Sequence, residues 1–243
     1  MNIKLIIEYD GTNFNGWQMQ LGPRSIQETL QEAVYKLTKE IVTVHGSGRT
    51  DAQVHALGQV ANFQTEANIP PTKWAHALNS VLPVDVKIKK SEEVSDTFHA
   101  RFSAKSKTYN YLIYLDPMPS PIYRNKVWQV YAPLNMDLMA AAVQSLQGTH
   151  DFQAFCATGR TVKSTVRTVY DARIEKRESI YSFTITADGF LYNMVRIIVG
   201  ALVAVGHEKL PANVFQKAIA TGDRGELDIT APPHGLYLVE VCY

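Results

Sequence analysis

The chain has 243 residues, of which 46% are hydrophobic and 19% charged, with 24 Lys and Arg against 23 Asp and Glu. At about 150 residues per domain this is one large domain or two fused ones, and the apolar fraction excludes a disordered chain or a coiled coil. A formal charge of +1 excludes a protein that holds nucleic acid by a bulk basic excess.

Ile3–Glu8 reads as a strand, followed by a Gly-rich turn over Asp10–Gly16. Ser25 with Glu28 three residues later forms a capping-box pattern, and Ile26, Leu30, Ala33, Val34 and Leu37 recur behind it at helical spacing. The β-branched run Ile41–Val44 leads through a polar loop to a second strand near Gly58–Phe63. Trp74, Ala77, Leu78 and Val81 mark one face of a short helix. Val84, Val86 and Ile88 alternate with polar residues as a half-buried strand, and Tyr109, Tyr111 and Ile113 repeat the pattern. The proline-dense turn Asp116–Pro121 suggests a divide into 1–116 and 117–243. A helix over Met136–Gln147 is stopped by Gly148, and two antiparallel strands follow, Thr165–Glu175 and Ile180–Ala187. Asp188-Gly189 leads into an apolar helix, Phe190–Gly206; Pro211 opens another, and Leu236–Tyr243 is a final strand. Short returns between strands predict an α+β fold with mixed or antiparallel sheets.

The apolar segment Phe190–Gly206 is 17 residues long and contains Asn193 and Arg196, which fits a buried core helix better than a membrane span. The opening run breaks at Glu8 without a signal-peptide cleavage pattern. Cys156 and Cys242 stand isolated, as in a protein of the reducing cytosol. The expectation is a cytoplasmic protein without a membrane partner.

Three features carry chemistry. The loop His45–His55 crowds glycines, Arg49, Thr50 and Asp51 between strands. Asp51 in it is either a turn residue bonded to nearby backbone or a reactive carboxylate. The Walker phosphate-binding pattern is not met, and a zinc site of His45, Asp51 and His55 lacks a recognisable spacing and a fourth ligand. Arg196 interrupts an apolar segment with no acid from Gly189 to Gly206. It either reaches water along its aliphatic stem or pairs with an acid from elsewhere, and a loop carboxylate held by such an arginine is a poised nucleophile or base. The run Lys105–Tyr111 sets aromatics beside cations, the composition that stacks bases and holds phosphates, or an ordinary strand of half-buried tyrosines. His99–Lys107 holds three cations and no acid, and Arg160–Arg177 six cations against two acids, so local basic patches lie under the neutral total.

With these residues in view the chain resembles, from end to end, the tRNA pseudouridine synthase A (TruA) family. Tyr9–Gln18 matches the pattern YDGTxFxGWQ and Gly48–Ala56 matches GRTDAGVHA. Leu78–Pro83, Phe98–Ser103, Lys107–Tyr111, Asp151-Phe152 with Phe155, Asn193–Arg196 and Gly235–Leu238 follow in the family's order. Two positions depart: Gln53 stands where the family usually has Gly, and Ile197 where it commonly has Asn. Gln53 implies either a backbone that needs no left-handed conformation or one that tolerates it at a cost.

The resemblance implies the pseudouridine synthase fold, two similar α+β halves with mixed or antiparallel sheets meeting at a central RNA-binding cleft. It implies isomerisation of uridine to pseudouridine at positions 38–40 of the anticodon stem-loop of tRNA, by a homodimer that needs neither cofactor nor metal. Asp51 corresponds to the catalytic aspartate, taken as the nucleophile, with attack on ribose or base and ribose proton abstraction all open. Arg196 corresponds to its ion-pair partner, Tyr109 to the residue that stacks on the flipped base, Arg49 to the arginine that holds the flipped nucleotide, and Leu236 to an apolar contact in the pocket. A non-catalytic RNA-binding protein and a metal-dependent nucleic-acid hydrolase are the competing readings of the same residues.

Overall fold

The computed structural model describes residues 1–157, 163–225 and 227–243. Contacts between Cα atoms divide the chain into two compact units, Met1–Lys105 with Tyr237–Tyr243, and Ser106–Leu236. The proline-dense turn at Asp116–Pro121, where the sequence suggests a divide, lies inside the second unit. The strand just before it pairs with partners there.

In the first unit, β1 (Asn2–Tyr9) alternates buried Ile3, Leu5, Ile7 and Tyr9 with half-buried Lys4, Ile6 and Glu8, the period expected of a sheet with one face on the core. Helix α1 (Ile26–Thr38) begins where the capping box predicts, with the Ser25 side chain accepting from the Glu28 N–H. It buries Ile26, Leu30, Ala33 and Val34 and closes on Lys39 in the left-handed region, φ 63°. The short β2 (His45–Gly46) pairs with β3 (His55–Gln64), which runs antiparallel to β1. Helix α2 (Trp74–Asn79) packs on β4 (Val86–Val94), the other antiparallel neighbour of β1. Strand β4 starts at Val86 and leaves Val84 fully exposed, because the Val86 N–H closes a turn onto the Pro83 carbonyl at 3.1 Å.

In the second unit, β5 (Ser106–Leu115) lies between β6 (Trp128–Val130), parallel to it, and an antiparallel strand further along the chain. Helix α3 (Met136–Gln144) ends a turn earlier than predicted, and Gly148, at φ 106°, opens β7 (Gly148–Asp151). Strands β8 (Val166–Arg177) and β9 (Ile180–Ala187) form the predicted antiparallel pair, and β9 is the antiparallel neighbour of β5, with Tyr109 opposite Ile185 and Tyr111 opposite Phe183.

Helix α4 spans Met194–Gly206, so the first four residues of the predicted apolar helix are not helical. Asn193 precedes it in the left-handed region, φ 60°, a conformation Asn accepts more readily than most residues. Every residue of α4 is buried except Arg196. At 13 residues it is about 20 Å long, and no described helix is long and apolar enough to cross a membrane. Helix α5 (Val214–Thr221) follows a turn from Pro211, and α3 packs against α4, α5 and β8.

The last strand, β10 (Leu236–Cys242), returns to the first unit and runs parallel to β3, with Tyr237 opposite His55 and Leu238 opposite Ala56. In that unit β3 therefore pairs with β1 along its length, with β10 at His55 and Ala56 and with β2 at Ala61 and Asn62, and all but Leu57 and Gln64 of its ten residues are buried. Both units thus have helices with a mixed sheet, an α+β architecture.

Candidate active site

The loop between β2 and β3 carries Arg49 and Asp51, and hydrogen bonds fasten it along its length. At its start the Ser47 N–H donates to the Val60 carbonyl at 2.7 Å, and the Ser47 hydroxyl donates to Gln59 Oε1 at 2.6 Å. Gln59, fully buried in β3, also gives its Nε2 hydrogen to the Gly48 carbonyl at 3.1 Å. A buried amide satisfied on both sides in this way specifies one loop geometry. Further on, Thr50 accepts from the Trp17 N–H at 3.0 Å through its carbonyl, and its hydroxyl bonds the Tyr9 hydroxyl at 2.8 Å. Burial pushes the Tyr9 phenol up to about 12, with Thr50 and Gln59 opposing that shift, so the hydroxyl stays protonated and keeps this bond.

Past Asp51, the Val54 N–H closes a turn on the Asp51 carbonyl at 3.2 Å, and the Gln53 N–H donates to Phe14 at 3.1 Å. Gln53 has φ 66°. Of the two alternatives the sequence leaves open, the loop holds the left-handed conformation, at a cost of ~1–2 kcal/mol that Gly would largely avoid. His55 Nδ1 accepts from the Gly11 N–H at 3.0 Å and lies 3.2 Å from Asp10 Oδ1, while its ring stacks on Tyr237 at 4.8 Å.

The motif Tyr9–Gln18 is therefore the cradle of the Asp51 loop. Glycines let the two backbones touch: a Cβ on Gly11 would sit 2.1 Å from the Val54 carbonyl oxygen. One on Gly16, at φ 87°, would sit 2.5 Å from that of Thr50 and 3.0 Å from the Asp51 carbonyl carbon. Asp51 is half-buried and Arg49 exposed.

Tyr109, Arg196 and Leu236 belong to the second unit. Tyr109 is buried on β5, with the edge of its ring to Phe190 at 5.0 Å and 82°. Tyr111 shares its face of the strand, and its hydroxyl donates to the Pro232 carbonyl at 2.7 Å. Burial raises the Tyr111 phenol pKa, and the positive charge of Arg196 opposes the shift. Arg196 sits in the first turn of α4 rather than mid-helix. Its Nε donates to the Ala231 carbonyl at 2.8 Å and its Nη1 to Asn193 Oδ1 at 3.0 Å, while its own carbonyl accepts from Ala231 at 3.0 Å. A cation there opposes the helix dipole, so helix stability does not account for it. The side chain is fixed, half-buried, against Ala231, five residues before Leu236, which is 6% exposed.

The other candidates resolve differently. His45 is exposed and its ring lies 4.8 Å from that of His99, whereas His55 is engaged by Gly11. Among the described residues no three His, Cys, Asp or Glu side chains gather as for a metal ion. In the basic stretch 160–177, Arg160 lies outside the described residues. On β8, Arg173 pairs with Asp171 and Glu175, and Arg177 with Glu175 at 3.7 Å, so its charge is partly neutralised within the strand. Sequence reasoning missed Gln59 and Asn62. The only signal for them is a pair of amides within the otherwise apolar stretch Ala56–Phe63 of β3.

The tRNA pseudouridine synthase family matches the chain over residues 5–103 and 142–243. A tRNA pseudouridine synthase A of Thermoanaerobacter sp. (strain X514) is 49% identical over 242 residues, covering 100% of this chain and 99% of its own. The protein of that name from Acetivibrio thermocellus is 48% identical, and tRNA pseudouridine synthase A 2 of Clostridium perfringens 47%, each with the same coverage. Among solved structures, a chain of a Cbf5–Nop10–Gar1 complex overlaps 82% of this chain and 54% of its own at 13% identity, with a TM-score of 0.33, too low to carry weight.

Proposed function

The chain belongs to the tRNA pseudouridine synthase A family, and on that premise we propose that it isomerises uridine to pseudouridine at positions 38–40 in the anticodon stem-loop of tRNA. The observation that carries this reading is the Asp51 loop, held to one geometry by the Tyr9–Gln18 segment, Gln59 and His55. A half-buried carboxylate so held meets the first requirement of a catalytic group, that its position be fixed before substrate arrives.

The reaction breaks the C1′–N1 glycosidic bond of the target uridine and forms C1′–C5. N1 gains a proton and C5 loses one, so no external group or electron is needed. Asp51 acts as the nucleophile, and Arg196 is its ion-pair partner and keeps it ionised. A uridine within a stem is out of reach until it leaves the stack. Tyr109 then stacks on the flipped base, Arg49 holds the displaced nucleotide through its phosphate, and Leu236 supplies an apolar wall. The orientation of Tyr109 is supported by the Phe190 ring against it and by its place beside Tyr111. The family's architecture, two similar α+β halves around a central RNA-binding cleft, its homodimeric assembly and its cytoplasmic location come with the same reading.

Mapping pseudouridine in tRNA from cells with and without the protein tests the assignment: loss confined to the anticodon arm is expected, and an unchanged map overturns it. For the stacking role, Tyr109→Phe retains turnover within about threefold, while Tyr109→Ala lowers kcat/KM ~10–100-fold, the worth of one base–aromatic stack. Equal turnover of the Ala variant and the parent protein in a tritium-release assay removes Tyr109 from that role.

A further inference from the structure

Residues 98–103 of the first unit form a loop that the proposed chemistry does not use, and it is fastened as firmly as the loop of Asp51. The Phe98 carbonyl accepts from Asn2 Nδ2 at 3.0 Å, and the Ala100 N–H donates to buried Asn62 Oδ1 at 2.8 Å. The Ala100 carbonyl accepts from the Tyr243 hydroxyl at 2.8 Å, and the Ser103 N–H closes on the His99 carbonyl at 2.9 Å. Ala100 is fully buried, yet two residues later Phe102 is 75% exposed. The exposure is thus held in place by the loop and is not the result of a loose end.

Phe102 is one end of a row of rings. Its centroid lies 4.3 Å from that of His99, which lies 4.8 Å from that of His45, and the Arg101 guanidinium stands 5.7 Å from the Phe102 ring. His99 Nδ1 accepts from the Arg101 N–H at 3.1 Å. Desolvation, and then the neighbouring His45, lower the His99 pKa, so this middle ring is neutral at pH 7. Within the first unit, residues 98–105 hold the cations Arg101 and Lys105 and no acid. A guanidinium beside a row of rings suits the face of an unpaired base and its phosphate better than it suits an apolar protein surface. His45 is six residues from Asp51 along the chain, hence at most ~20 Å away, within the span of one bound RNA.

We propose that Phe102, His99 and His45 form a second base-stacking platform, with Arg101 on the adjacent phosphate, where an unpaired nucleotide of the tRNA rests outside the catalytic site. The proposal rests on the tRNA-modifying reading above. It explains why an aromatic ring is kept in water on a rigid loop, and it assigns that ring to substrate positioning.

Full-length Phe102→Ala, Phe102→Trp and Arg101→Ala proteins, assayed on transcribed tRNA for binding and for pseudouridine formation, test it. Phe102→Ala is expected to raise Kd and KM about tenfold, the scale of one lost stack, while kcat falls less than twofold. Phe102→Trp restores both, and Arg101→Ala weakens binding and flattens its salt dependence by about one charge. Unchanged Kd in Phe102→Ala overturns the proposal, as does a Trp variant no better than Ala. A change in sedimentation behaviour with unaltered Kd overturns it too, and gives the cluster to a protein interface. If the parent protein binds tRNA through this platform but forms no pseudouridine, the enzymatic reading fails and the platform stands.

Discussion

Asp51→Asn protein folds, binds tRNA within about threefold of the parent affinity, and loses pseudouridine formation by ~10⁴-fold or more, the scale on which removal of a nucleophile is felt. The fold is expected to survive because the anchors of the loop are made by other groups: Ser47 and Gln59, the carbonyl of Thr50, the N–H of Gln53. The substitution is nearly isosteric and leaves the Asp51 carbonyl free to accept from Val54 as before. Retained binding with lost turnover separates an enzyme from an RNA-binding protein that uses Asp51 structurally. Unchanged modification would sink the assignment. Chelation offers a second separation, since a synthase works in EDTA and leaves the strand intact, whereas a metal-dependent hydrolase does neither.

The largest effect of a residue with no chemistry of its own is expected at Gly16. Its φ of 87° costs an alanine ~1–2 kcal/mol. The added Cβ also meets the Thr50 carbonyl oxygen at 2.5 Å, and backbone cannot swing aside as a side chain can. Strain and collision together set the loss near ~3 kcal/mol in urea unfolding. If the loop yields instead, it moves at Thr50 and Asp51, and a displacement near 1 Å costs ~10²-fold in kcat. Gly22→Ala is the control: φ is 96° there, with no atom within 4 Å, so strain alone is felt and the rate stays. Equal behaviour of the two variants would show that the close approach of Gly16 to the loop is without consequence.

Local signals are legible in the sequence and long-range ones are not. The capping box at Ser25 marks the start of α1 to the residue, and alternation marks β4 and β5, because periodicity and end-capping are properties of neighbours in the chain. The start of α4 is not legible in the pattern, since hydrophobicity runs on through Phe190–Leu191 while the backbone turns left-handed at Asn193. That moves Arg196 from mid-helix to the first turn. Gln53 posed a choice that only a dihedral angle decides. For Tyr9–Gln18 the sequence held the residues but not the reason for them, which is contact with a loop some 40 residues onward. Gln59 and Asn62 stay hidden because their partners lie far along the chain or in loops: Ser47 and Gly48 for Gln59, Asn2 and Ala100 for Asn62.

The return of β10 also imposes an order of assembly during synthesis. Strand β3 and the Asp51 loop leave the ribosome early, yet Tyr237 and Leu238, which pair with His55 and Ala56, follow the entire second unit. Until they emerge, the sheet of the first unit keeps an unpaired edge, the kind that invites wrong partners, and pairing across so long a loop is intrinsically slow. The loop of the proposed nucleophile thus meets its anchors early, within residues 9–60, whereas His55 and Ala56 just after it wait for Tyr237 and Leu238, and the first unit stays unfinished until then.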